Sequence, residues 1–210
     1  MSQTTTTVQD SIRLLFILVR GCDPISSHPN GYAGIFDGKA KLHALDFWVR
    51  YPDFLAYELL NRFSETKDIK YYHKAKDIID DREPDLRSIP MIRYRFGAFE
   101  NLNESLALLV SKGLVYQDGD KSEETIKNYF YYLTPLAFKI VNEITTEFPV
   151  LAWYNDRAKL VKEIAGQLGG KALKDIQYQH MSYATTQLGT QIPSIKNEVI
   201  NRLNALNLSA

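Results

Sequence analysis

Cysteine is nearly missing from this sequence: Cys22 stands alone among 210 residues. That excludes an internal disulfide framework and every multi-cysteine zinc site, and it fits a reducing cytoplasm. Net charge is missing as well, with 25 Lys and Arg against 25 Asp and Glu, so the composition is not that of a basic nucleic-acid binder. No apolar run approaches the roughly 20 residues of a membrane span. The longest, 12–19, is short and broken by Arg13. The opening Met-Ser-Gln-Thr-Thr-Thr-Thr has neither a basic stretch nor a small-residue cleavage site, so no secretory signal is expected. What the chain does have is 45% apolar and 12% aromatic residues, enough to bury a substantial core. A cytoplasmic globular protein with no membrane partner is the expectation.

Periodicity then divides the chain. Asp10 or Ser11 is the expected N-cap of a helix through Ile12, Leu15, Phe16 and Val19, with Gly21 as a left-handed stop. Residues 22–36, with Pro24, Pro29, Asn30-Gly31 and Gly34, read as a loop. A helix from Asp37 carries Leu42, Leu45, Trp48 and Val49 on one face. Pro52 ends it and opens the next, through Phe54, Leu55, Leu59, Leu60 and Phe63. Residues 64–85 form a charged insertion, read as a solvated helix over 69–79 broken at Pro84.

The most informative stretch is 101–146. Leu102, Leu106, Leu109 and Val110 share a helix face, and Gly113 follows as its C′ residue. Strands are expected at 114–116 and, from its β-branched and aromatic residues, at 127–133, with a polar loop over 118–125. Thr134-Pro135 caps a helix through Leu136, Ile140 and Ile144. Helix, Gly, strand, loop, strand, capped helix is the order of a winged helix. The fold expected is mainly α with a small β wing, an α+β class. A winged-helix domain over 1–148 precedes a C-terminal helical extension over 149–210. In that extension Ile195, Val199, Leu203 and Leu206 form one stripe, for its own domain or for a partner.

Chemistry is harder to find. Nucleophile-elbow, P-loop and H-E-x-x-H motifs are missing, and His28, His43, His73 and His180 are scattered. His43, beside Leu42 and Leu45, reads as a structural histidine. Cys22 has no neighbouring cation to activate it. Asp80-Asp81 lacks a third metal ligand. No catalytic residue, metal or cofactor is assigned. DNA is a poor partner on charge: Glu100 and Glu104 sit at the end of the helix that would read bases, and Asp118, Asp120, Glu123 and Glu124 outnumber Lys121 on the wing. Lys39, Lys41 and Arg50 are the weak nucleic-acid candidates, with Asp37, Asp46 and Asp53 among them. Around Met91-Ile92-Arg93-Tyr94-Arg95-Phe96-Gly97, alternation puts Arg93 and Arg95 on one strand face and Tyr94 and Phe96 on the other. With Arg87 they make either an anion clamp on a partner or ion pairs to the carboxylates of 77–85.

Four phrases occur in the order seen in a family of small bacterial proteins: FDGKAKLHALDFWVRYPDFL (36–55), MIRYRFGAF (91–99), LALLVSKGLV…YYLTPLAFKIV (106–141) and LGGKALKDIQYQ (168–179). They resemble the middle or accessory component of ABC-three-component systems, of the Lamassu type of anti-phage defence. The resemblance implies a non-catalytic subunit that bridges or regulates an SMC- or Rad50-like ATPase and an effector, often a nuclease. It brings no catalytic residues. Many members read Gly-Pro-Trp where this chain has Gly97-Ala98-Phe99, so a looser turn is expected there. Candidate partner contacts are Arg93, Tyr94, Arg95, Phe99 and the 195–206 stripe. The competing reading is a winged-helix transcriptional regulator that binds DNA.

Overall fold

The computed structural model describes residues 6–80, 91–95, 97–122 and 125–206, with backbone only at 121, 122 and 125–127. Arg87, Asp81, Pro84, Phe96, Glu123 and Glu124, and the side chain of Lys121, lie outside the described residues. The described part is mainly helical with a small antiparallel sheet, an α+β class.

Helix α1 (Thr7–Gly21) runs through the middle, with Leu14 to Val19 all buried. A helix apolar on all sides needs neighbours on all sides, and α1 has them. They are α2 (Lys39–Arg50), α5 (Asn103–Ser111), α6 (Pro135–Glu147) and α7 (Pro149–Ala165). Its N-cap is Thr6, which forms a reciprocal capping box with Gln9, so the helix starts one turn before Asp10 and Ser11. Those two look inward instead. Asp10 pairs with Arg13, and the Ser11 hydroxyl donates to the Thr7 and Ser105 carbonyls. Gly21 is not left-handed; a Cβ there would lie 2.7 Å from the Phe36 ring, so close packing fixes the glycine.

Short strand β1 (Asp23–Pro24) and strand β2 (Gly34–Asp37) occupy part of the expected 22–36 loop. Helix α3 (Pro52–Thr66) starts at its proline as expected, and α4 (Ile69–Asp80) packs on it through Tyr71, Tyr72, Ala75 and Ile78. The charged insertion is therefore solvated on one face only. Strands β3 (Ile92–Tyr94) and β4 (Gly97–Phe99) pair as a tight hairpin.

After α5, Gly113 at φ 66° turns the chain into β5 (Val115–Ser122), which returns as β6 (Thr125–Leu133). Thr134 then caps α6, and its hydroxyl also donates to the Gly113 carbonyl at 2.8 Å, closing the base of the hairpin. The strands are longer than expected. Asp118, Gly119 and Asp120 pair with Phe130, Tyr129 and Asn128 rather than forming a loop. A ribbon wet on both faces carries no apolar alternation, which is why polarity reads as loop. The sheet order is β1-β2-β6-β5, all antiparallel.

Residues 149–206 share the core of the preceding part. Helix α7 packs on α1 and α2, and α8 (Gly170–Gln177) on α2. After a single turn, α9 (Met181–Ala184), α10 (Lys196–Leu206) lies on α3 and α4. Its start is fixed across the chain by Asp53, whose Oδ2 accepts from the Ser194 hydroxyl and the Ile195 N–H, each at 2.7 Å. Among the described residues no helix is long and apolar enough to cross a membrane.

Candidate functional site

Strand β2 enters helix α2 through Gly38, whose φ of 95° favours glycine and whose N–H donates to the Tyr129 carbonyl of β6 at 2.9 Å. This ties the start of α2 to the β5–β6 ribbon. The helix then begins without a side-chain cap and without an acidic residue in its first turn; Lys39 and Lys41 stand there instead. Acids, not lysines, complement the positive end of a helix dipole, so this end carries an excess of positive potential. Helix α8 arrives against the same turn. A Cβ on Gly170 would lie 2.5 Å from the Lys41 nitrogen, so only glycine lets the two helices meet.

The third wall is the β3–β4 hairpin. The Ala98 N–H donates to the Tyr183 hydroxyl at 2.6 Å, that hydroxyl donates to Gln177 Oε1 at 3.4 Å, and Gln177 Nε2 donates to the Ala44 carbonyl at 2.9 Å. The relay runs from the hairpin through α9 and α8 to α2. Ala98 supplies an N–H, which a proline there would lack, and that N–H pins the hairpin.

Between these walls lies a cavity of about 580 Å³, lined by Gly38, Lys39, Ala40, His43, Tyr94, Gly97, Ala98, Phe99, Asn128, Tyr129 and Lys174. Its volume is that of small-molecule sites. Tyr94, Phe99 and His43 form a staircase of rings, each 5.3 Å from the next, from solvent to the interior. Tyr94 is 52% exposed and His43 is 5% exposed. Across the opening, the Lys39 ammonium lies 5.6 Å from the Tyr129 ring centre. Neither nitrogen of His43 has a hydrogen-bond partner among the described residues. Burial pushes its pKa down to about 4; Asp46 opposes this, while Lys39 and Lys174 add to it. His43 is thus neutral at physiological pH, with one N–H and one lone pair. Burial also lowers the pKa of Lys174. Among the described lining residues there is no carboxylate.

The residues singled out in the sequence separate in space. Lys39, Tyr94 and Phe99 meet at the cavity. Arg93 points the other way. It is buried over the Tyr178 and Tyr183 rings, at 4.7 and 5.9 Å from the ring centres, and it donates to the Tyr94 carbonyl. Arg95 sits exposed in the turn between the strands, so the two arginines do not share a strand face. Lys41 is buried with its ammonium 5.1 Å from the Phe36 ring centre, and Arg50 is 1% exposed in an ion-pair cluster, so Lys39, Lys41 and Arg50 form no common surface for nucleic acid. Ile195, Val199 and Leu203 are buried against α3 and α4, and Leu206 is half-buried beside them; the stripe is used within the chain. Glu100 does not face outward either. It pairs with Arg50 and Arg13, which share Asp46 as a second partner.

His43 and Lys174 were not singled out as binding residues. A histidine among leucines reads as core, and a lysine in an amphipathic helix reads as solvated, until the cavity between them is seen. Among the described residues no three His, Cys, Asp or Glu side chains gather around one point, so no metal ligand set is assigned. Comparison with known proteins adds nothing to this geometry: no protein-family model matches the chain, and neither does any curated protein or solved structure.

Proposed function

We propose that this chain is a non-catalytic accessory subunit, built on a winged-helix arrangement, that links an SMC- or Rad50-like ABC ATPase to an effector in bacterial anti-phage defence. One observation carries the partner-binding part of this reading. The β5–β6 ribbon outruns its sheet, since β2 pairs only as far as Asp37 with Phe130, while β5 and β6 go on pairing to Ser122 with Thr125. Beyond that point the ribbon has no third strand among the described residues, and β5, eight residues long, is the outer strand of the sheet. An open edge is a template for strand addition. The order α5, β5, β6, α6 supports the winged-helix description. Asp118 and Asp120 are exposed on the ribbon and Glu104 on α5, which favours a protein partner over a polyanion. The four phrases shared with the accessory components supply the rest of the reading, including the cytoplasmic setting.

The test is co-expression of the tagged chain with the products of its neighbouring genes, followed by capture and mass spectrometry. Retention of an SMC- or Rad50-like ATPase is expected, as is its loss from the Asp118→Lys, Asp120→Lys double variant, whose thermal midpoint should match the wild type. No association between the purified partners would overturn the proposal. A salt-dependent shift of duplex DNA by this chain alone would establish the regulator instead.

A further inference from the structure

The cavity at the start of α2 combines three features. First, the helix N-terminus is uncapped, has Lys39 and no acid lining the cavity from its first turn, and shares the lining with Lys174. Second, His43 is 5% exposed and lines the cavity, and neither of its nitrogens has a hydrogen-bond partner among the described residues. A buried polar group left bare is costly, and His43 is in a position to recover that cost on a bound molecule. Third, the aromatic staircase Tyr94–Phe99–His43 and the facing Tyr129 offer flat surfaces to a planar group. An anion alone would need only the first feature. A planar apolar ligand would need only the third.

We propose that this cavity binds a nucleoside 5′-phosphate, with the base on the Tyr94–Phe99 step and the phosphate between the α2 N-terminus, Lys39 and Lys174. The ligand is anionic at one end and aromatic at the other, as the cavity is cationic at one end and aromatic along its wall. A neutral imidazole has one N–H and one lone pair, and a ribose hydroxyl or a base edge can engage either. A volume of about 580 Å³ accommodates one nucleotide unit. The same unit is supplied by a free mononucleotide or by the 5′ end of a strand. This inference rests on the cavity and not on the ATPase partnership.

The experiment is isothermal titration of the full chain with adenosine 5′-monophosphate, guanosine 5′-monophosphate, adenosine, inorganic phosphate and a 5′-phosphorylated tetranucleotide. At least one mononucleotide is expected to bind about tenfold or more tighter than adenosine or phosphate alone. Lys39→Ala, Lys174→Ala and Tyr94→Ala should each weaken it by about tenfold. All three side chains are partly or largely exposed, and thermal melts verify that the variants are folded. A tetranucleotide that binds tighter than the mononucleotides identifies a strand end as the source; equal or weaker binding identifies the free nucleotide. No heat from any nucleotide at millimolar concentration would overturn the proposal. So would binding that phosphate alone reproduces, or binding indifferent to all three substitutions. Capture of the ATPase by a chain that binds no nucleotide would refute this inference and leave the partner reading standing.

Discussion

Along its length, helix α2 places Asp46 and Arg50 against Arg13 of α1 and Glu100, and it places Lys39 and His43 against Lys174. In the first cluster every charge has an opposite neighbour. Arg13 Nε donates to Asp46 Oδ1 at 2.7 Å, its guanidinium also meets Asp10 and Glu100, and Arg50 reaches Glu100 and Asp46. Burial opposes ionisation of Asp46, yet the two arginines outweigh it and hold its carboxyl below the usual range. For Glu100 burial, helped by the nearby Asp46 and Asp10 carboxylates, outweighs the two arginines and raises the pKa. In the second cluster the charges are of one sign and the histidine is bare. Paired buried charge fixes how α1, α2 and the segment after β4 pack. Like charge at the rim of a cavity fixes no packing, and it is there that the nucleotide is proposed to bind.

The sharpest way to break this contrast is Asp46→Ala. It leaves two buried arginines without their shared carboxylate and should cost about 3–5 kcal/mol in urea denaturation. A loss below about 1 kcal/mol would show that the first cluster is no more structural than the second. Acid gives the next effect. The His43 pKa falls from 6.5 to about 4 on folding, so its contribution is complete above pH 6.5 and is lost as pH falls towards 4. That shift corresponds to about 3 kcal/mol. The Asp46 contribution is likewise present above the ordinary Asp range and is lost only at lower pH. Stability curves of wild type and His43→Leu should therefore separate between pH 6.5 and 4, with the variant flatter. Parallel curves would place His43 in water. The smallest effect belongs to the lysines: with no carboxylate to lose, Lys39→Ala and Lys174→Ala should each change stability by no more than about 0.5 kcal/mol. A loss several times larger would make them structural.

Much of the helical framework is legible in the chain because its signals are local. Pro52 sets the start of α3 and Gly113 the turn out of α5. Thr134-Pro135 sets the start of α6, through one residue's φ or one side-chain oxygen. The strands are less legible. β2 is a four-residue segment whose hydrogen bonds go to β6, nearly a hundred positions away. The outer ribbon lacks the apolar alternation by which strands are recognised. Tyr94, Phe99 and Lys39 could be noted as exposed or reactive types, but no spacing announces that they share a cavity.

By itself the sequence determined the starts of α3 and α6, the turn out of α5 and the α+β class, since those signals lie within a turn or two of one another. Tertiary structure alone decided which charges are neutralised and which are not. Asp46 meets Arg13 from 33 positions away, while His43, three residues earlier, meets Phe99 and the space beside it. Electrostatics and burial act through distance in space, and only the packing of α1, α8 and the β3–β4 hairpin around α2 fixes those distances.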